Sequence, residues 1–195
     1  SKELLTTILE KITTNKNYKI LTSKVIRPDG KDVIINWDEA LIVAGSLVQE
    51  DLLIMQWNDE LKEHILTGGI LCFPALWTLN EKMNKPMTRI HEPVKQYSKK
   101  VSLLVQRMFT NLKAETPLWR ANWYLYDNPE LFSPQKEKFS HTTRKSFFDS
   151  DFWVRVERQT LVRLPKSDAI IFGIHTFVVS RKSLTSKQIA SLKKI

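Results

Sequence analysis

The stretch "FWVRVERQTLVRLPKSDAIIFGIHTFVV", Phe152 to Val179, decides the fold. Two runs rich in β-branched and aromatic residues, 152–164 and 169–179, flank Pro165-Lys166-Ser167-Asp168. Proline, serine and aspartate between such runs are turn chemistry, so the pattern predicts a long β-hairpin. Side chains alternate faces along a strand. Arg155, Glu157, Gln159 and Leu161 therefore share one face, and Val154, Val156, Arg158 and Thr160 share the other. Charge lies on both faces, although a sheet buries at least one. Either these charges form cross-strand ion pairs on a solvated face, or Glu157 or Arg158 points into a polar pocket, where burial obliges it to pair.

Working outward, "LWRANWYLY" predicts a strand over 119–126 with Trp119, Trp123 and Leu125 on one side and Arg120 on the other. Arg120 can stack on an aromatic ring or bind an anion. "EDLLIMQW" and the run from His64 to Leu71 predict a further hairpin, with Gly68-Gly69 marking a bulge. "KVIRPDGKDVIIN" predicts a smaller one around Pro28-Asp29-Gly30. Helices are expected over 3–12, over 39–49 with Asp38 as cap, from Pro74 onward, over 98–112 and at the C-terminal end, where Thr185 or Ser183 is the cap. In the 98–112 helix, Val101, Leu104, Val105, Met108, Phe109 and Leu112 form one apolar stripe, predicted to face the core. A long polar loop is expected over 127–151. The sum is one α+β domain over 1–195, with an antiparallel sheet of five or more strands and helices on one side.

Composition excludes several classes. The 195 residues are 42% hydrophobic and include six Trp, nine Phe and four Tyr, enough for a packed core. The single cysteine, Cys72, excludes an intramolecular disulfide and any multi-cysteine zinc or iron–sulfur site, and fits a reducing cytoplasm. Apolar runs such as 40–48 are too short to cross a bilayer, and "SKELLTTILEK" carries no signal-peptide pattern. The net charge of +9 permits nucleic acid, anionic lipid or an acidic protein as partner without choosing among them. No phosphate-cradling glycine loop, GxSxG or HExxH is present. The aromatics follow no RNA-recognition or cold-shock pattern.

Four histidines remain. His64 falls at a turn or strand start, an exposed setting; His141 lies in the polar loop; His175 is on the last long strand; His91 follows a helix in "RIHEPVKQY". None has a partner at metal-site spacing. A single axial histidine suffices for haem, since the porphyrin supplies the other four nitrogens. Spacing alone leaves His91 either a ligand or a structural residue.

Taken together, "AGSLVQEDLLIM", "LCFPALWTLNEKMNKPMTRIHEPV", "LWRANWYLYDNPELF" and "FWVRVERQTLVRLPKSDAIIFGIHTFV" resemble the haem-dependent oxidative N-demethylase family, DUF3445, over about 40–180. The resemblance implies a PAS-like fold: a curved antiparallel sheet with helices packed on one side, holding haem b. It implies oxidative N-demethylation of a secondary amine such as dimethylamine, using O₂ and releasing formaldehyde. Electrons would come from NADPH through a separate flavin and iron–sulfur reductase subunit. A folate-binding partner subunit and an oligomeric assembly fit the same picture; a membrane does not.

By the same resemblance His91 is the axial iron ligand. Glu157 is a catalytic carboxylate that hydrogen-bonds the axial imidazole, fixing its tautomer and adding negative charge that favours O–O cleavage. Arg158, Arg120 and Arg155 are candidates for the haem propionates or a polar distal pocket. His175 stands where the family pattern has arginine, and is a candidate cofactor contact or competing ligand. Two other readings stay open: a non-catalytic haem-binding sensor or assembly subunit, and a basic nucleic-acid-binding domain.

Overall fold

A computed structural model describes residues 1–94, 96–137 and 151–192. The elements run α1 (Lys2–Ile12), β1 (Lys19–Ile20), β2 (Lys24–Ile26), β3 (Asp32–Ile34), α2 (Ala40–Leu47), β4 (Glu50–Asn58), β5 (Glu63–Ile70), α3 (Leu79–Lys82) and α4 (Met87–Ile90). They continue with α5 (Lys99–Asn111), β6 (Leu118–Tyr126), β7 (Trp153–Arg163), β8 (Ile170–Ser180) and α6 (Ser186–Leu192). Strands β5-β4-β8-β7-β6 form one antiparallel sheet; β1-β2-β3 form a small second one. In chain order the large sheet reads 2-1-5-4-3, an α+β, PAS-like arrangement with an open, curved sheet.

The 152–179 hairpin is the spine of that sheet. β7 and β8 pair over their full length, from Trp153↔Ser180 to Arg163↔Ile170. The turn closes with Asp168 at φ 55°, a left-handed position that aspartate tolerates better than most residues. The β4–β5 hairpin carries the expected bulge. Ile54 faces Gly68 but Met55 faces Leu66, leaving Thr67 as the extra residue. At Gly69 a Cβ atom would come within 2.8 Å of Leu53 Cδ2, so the neighbouring strand needs that glycine.

Alternation assigns two faces to the large sheet. On the front, Leu53, Met55, Leu66, Ile170 and Ile174 pack with Met87, Phe109 and Leu112. Helices α3, α4 and α5 thus lie on this side, but α1 and α2 cover the other, so the helices are not confined to one face as expected. On the back, Leu52, Ile54 and Ile171 pack against α1, α2 and the small sheet through Leu5, Val25, Val43, Ala44 and Leu47.

Four local expectations are corrected. Asp38 does not cap α2: Glu39 occupies the cap position without a side-chain bond, and Asp38 meets Lys2 at 3.5 Å instead. The predicted 39–49 helix is shorter because Val48 is already extended. Pro74 does not start a helix. It is buried in the segment before α3, which begins only at Leu79. The α5 stripe divides: Phe109 and Leu112 are buried, whereas Val101, Leu104 and Met108 are 37%, 56% and 37% exposed. The Ser98 and Thr185 caps form, each accepting from the backbone N–H three residues on.

Candidate functional site

His91 sits at the C-terminal end of α4, in the cap position. Lys82 at the end of α3 holds it there. Its ammonium donates to Ile90 O at 2.8 Å and pairs with Glu137, which also accepts from Arg89 at 3.1 Å. The imidazole stacks on Tyr97 with centroids 4.3 Å apart and planes 16° apart. Nδ1 lies 2.9 Å from Met87 O. A carbonyl oxygen only accepts, so Nδ1 carries the proton and Nε2 keeps its lone pair. Burial chiefly lowers the pKa of His91; the Met87 bond opposes this, and the charges of Lys82 and Arg120 add to it. The ring is held neutral, half-buried and in the tautomer that can ligate a metal through Nε2.

The polar part of the front face lies on adjacent rungs. Asp51, Ile174, Gln159 and Arg120 form one rung across β4, β8, β7 and β6; Thr176, Glu157 and Asn122 form the next. Hydrogen bonds link them. Arg120 Nε donates to Gln159 Oε1 at 2.9 Å, and Gln159 Nε2 donates to Glu157 Oε2 at 3.2 Å. Arg155 Nε donates to Glu157 Oε1 at 3.4 Å. Glu157 therefore points into a polar, nearly buried interior, the second of the two alternatives open from the sequence. It is not the partner of His91 Nδ1, whose bond goes to the Met87 carbonyl.

Arg155 is 1% exposed, and its remaining donors reach Leu131 O, Phe73 O and Thr176 Oγ1. Asp51, also 1% exposed, accepts at Oδ1 from the backbone of Cys72 and Phe73 at 2.6 and 2.9 Å. Burial pushes its carboxyl pKa up, against the pull of those bonds and of Arg155. Arg155 and Asp51 thus clamp the segments around Phe73 and Leu131 onto the sheet.

Two expected contacts are elsewhere. His175 and Arg158 occupy the back face, on one rung with Glu50. Glu50 Oε1 accepts from His175 Nδ1 at 3.2 Å and from Arg158 at 3.5 Å. The alternation that puts Ile174 in the front core turns its neighbour His175 away, so His175 and Arg158 are not brought together with His91 and Glu157. His64 is 3% exposed, not at the surface. Gln106 Oε1 accepts from both its backbone N–H and Nδ1, at 3.2 and 2.8 Å, and the ring lies edge-on to Trp57 and Phe109. It lines a cleft of about 380 Å³ with Trp57, Arg163 and Asp168, apart from the His91 cluster. His141 lies outside the described residues.

The Gln106–His64 bond also orients α5. That side of the helix looks to the outer strand β5. Val101, Leu104 and Met108 lie on the opposite side of the helix at 100° per residue and are left exposed. A neutral histidine whose Nε2 keeps its lone pair, with the charges of Lys82 and Arg120 acting on it, and exposed apolar side chains on α5 fit a flat, apolar macrocycle carrying two carboxylates. Among the described residues no cluster of three metal-ligating side chains occurs, so the donor set offers one histidine rather than a protein-only metal cage.

The model of the family described as "Haem-dependent oxidative N-demethylase, alpha subunit-like" matches residues 5–194. The chain belongs to this family. Its general reaction is therefore haem-dependent oxidative N-demethylation, and its designation is that of one subunit of a multi-subunit enzyme. Among the described residues no helix is long and apolar enough to cross a membrane.

Sequence reasoning missed several members of the site. Gln159 was placed on the right face but given no role. Asn122 shares the Arg120 face by simple alternation and could have been found that way. The Met87 carbonyl has no side-chain signature, and Tyr97 has only its proximity in sequence.

Proposed function

We propose that this chain is the haem-binding, substrate-oxidising subunit of an amine N-demethylase, with His91 Nε2 as the axial ligand to haem b. The observation that carries the assignment is the Nδ1–H bond to Met87 O, which leaves Nε2 unprotonated on a buried ring kept neutral by its surroundings. Arg120 is the candidate for a propionate, because its Nη atoms have no partner among the described residues. Arg155, Arg158 and His175 are not assigned to the cofactor: Arg155 is occupied by the chain itself, and the other two face the back.

When bound, haem would supply the activation of O₂ with two electrons and two protons, placing one oxygen atom in a C–H bond of an N-methyl group and releasing the other as water. The resulting carbinolamine breaks its C–N bond to give formaldehyde and the shortened amine. The chain's contribution is to hold the imidazole in one tautomer, to offer the exposed apolar side chains of α5 to the macrocycle, and to present Glu157 as a fixed acceptor. Dimethylamine is the proposed substrate. NADPH, through a flavin and iron–sulfur reductase subunit, is the proposed electron source, with a folate-binding subunit to capture formaldehyde. A cytoplasmic, oligomeric assembly follows from that dependence on soluble partners.

The test is an absorption spectrum of protein expressed with haem available. A Soret band is expected in the wild type and in His175→Ala, and lost in His91→Ala. Full haem retention in His91→Ala would sink the ligand assignment. Amine-dependent NADPH oxidation with the reductase present, accompanied by formaldehyde, separates an enzyme from a haem sensor of the same fold.

A further inference from the structure

Asn122 and Glu157 are direct cross-strand partners on the front face, in the register Asn122↔Glu157. Side chains so placed stand about 5 Å apart at Cβ. Asn122 Oδ1 is buried and makes no hydrogen bond among the described residues. An acceptor in that state has lost water and gained nothing in return. Glu157 accepts from Arg155 and Gln159, one bond on each oxygen, and a carboxylate has about four acceptor positions. Asn122 and Glu157 are therefore cross-strand neighbours, each with acceptor capacity to spare. Arg120 and Tyr124, on either side of Asn122 along the same face of the edge strand, are exposed, so the pair lies close to solvent. Tyr124 adds an aromatic face of the kind that suits methylated ammonium groups.

We propose that Asn122 and Glu157 recognise the substrate as a secondary ammonium ion, each accepting one of its two N–H bonds. This rests on the reading of the chain as an amine N-demethylase. A secondary ammonium has two N–H donors, so it satisfies both acceptors. A tertiary ammonium has one, and leaves Asn122 unpaired. The strand pair thereby discriminates between amines by counting donors, which an apolar pocket alone does poorly. Gln159 and Arg155 are positioning residues here, because they hold Glu157 toward Asn122.

Calorimetric titration of the haem-loaded protein with dimethylammonium and with trimethylammonium chloride tests this. The wild type should bind the dimethyl ion more tightly. Asn122→Leu should weaken dimethylammonium about tenfold, the loss of one hydrogen bond to a charged group, and leave trimethylammonium nearly unchanged. Asn122→Asp, which keeps an acceptor there, should restore the preference. The proposal is overturned if Asn122→Leu weakens both ions equally or neither. A wild type that binds neither ion, or does not distinguish them, also overturns it. Loss of the Soret band in Asn122→Leu would assign Asn122 to the cofactor instead, with the same result. A wild type without a Soret band would defeat the haem reading, while the same titrations still decide the acceptor pair.

Discussion

Replacing Arg155 with methionine probes the clamp beneath the site. Methionine keeps most of the apolar stem and removes every donor. The guanidinium is 1% exposed and bonds Leu131 O at 3.1 Å, Phe73 O, Thr176 Oγ1 at 3.5 Å and Glu157 Oε1 at 3.4 Å. Glu157 keeps Gln159 as a partner, and the threonine contact is long, so the two loop carbonyls dominate the loss. A stranded buried acceptor costs about 1–3 kcal/mol. Two of them, plus a carboxylate losing Arg155 as its cationic partner, give about 3–5 kcal/mol, the range for breaking a buried ion pair from one side. That is a large fraction of the roughly 5–15 kcal/mol that stabilises a domain. Urea unfolding should show a lower midpoint at unchanged slope. Hydrogen exchange should quicken around Phe73 and Leu131 before it does in the α1–α2 layer. Arg155→Lys should recover only part of the loss, because an ammonium cannot fork to two carbonyls in fixed geometry. A cost below about 1 kcal/mol, or unchanged protection of both segments, would refute the clamp.

Leu104→Gln should change stability by less than about 0.5 kcal/mol, since Leu104 is 56% exposed, yet lower haem affinity in a transfer assay; unchanged affinity would remove α5 from the pocket wall. Burial lowers the pKa of His64 and His91 below the ordinary 6.5, so the unfolded chain binds protons that the folded one refuses. Their contribution is complete above about pH 6.5 and is lost as pH falls through the lowered folded values. Thermal midpoints should fall over that window, less steeply in His64→Phe; identical slopes in both proteins would contradict this. Gly173→Ala should cost about 1–3 kcal/mol, because its Cβ would lie 2.7 Å from Thr160 Oγ1, and adding Thr160→Ala should recover most of it in the same melts.

Regular pairing was legible because it is written in local patterns. The 152–179 hairpin follows from two β-branched runs around a turn, and β7 and β8 pair along that entire stretch. The bulge, which falls at Thr67 beside the expected Gly68-Gly69, and the caps at Ser98 and Thr185 are equally local. The α5 stripe was misread for an instructive reason. Helical periodicity identifies an apolar face but not what covers it, and here half of that face is left exposed instead of packing in the core.

The sequence by itself determined the strands, the family and His91 as the histidine to watch, since all three rest on residue order. Only the tertiary structure decided which groups meet. It gave His91 the Met87 carbonyl in place of Glu157, and turned His175 and Arg158 to the opposite face. It also buried His64 and set an unpaired Asn122 across from Glu157. Strand alternation fixes faces within one strand, but the register between strands and the helix laid over them choose the partners, and neither is encoded at short range.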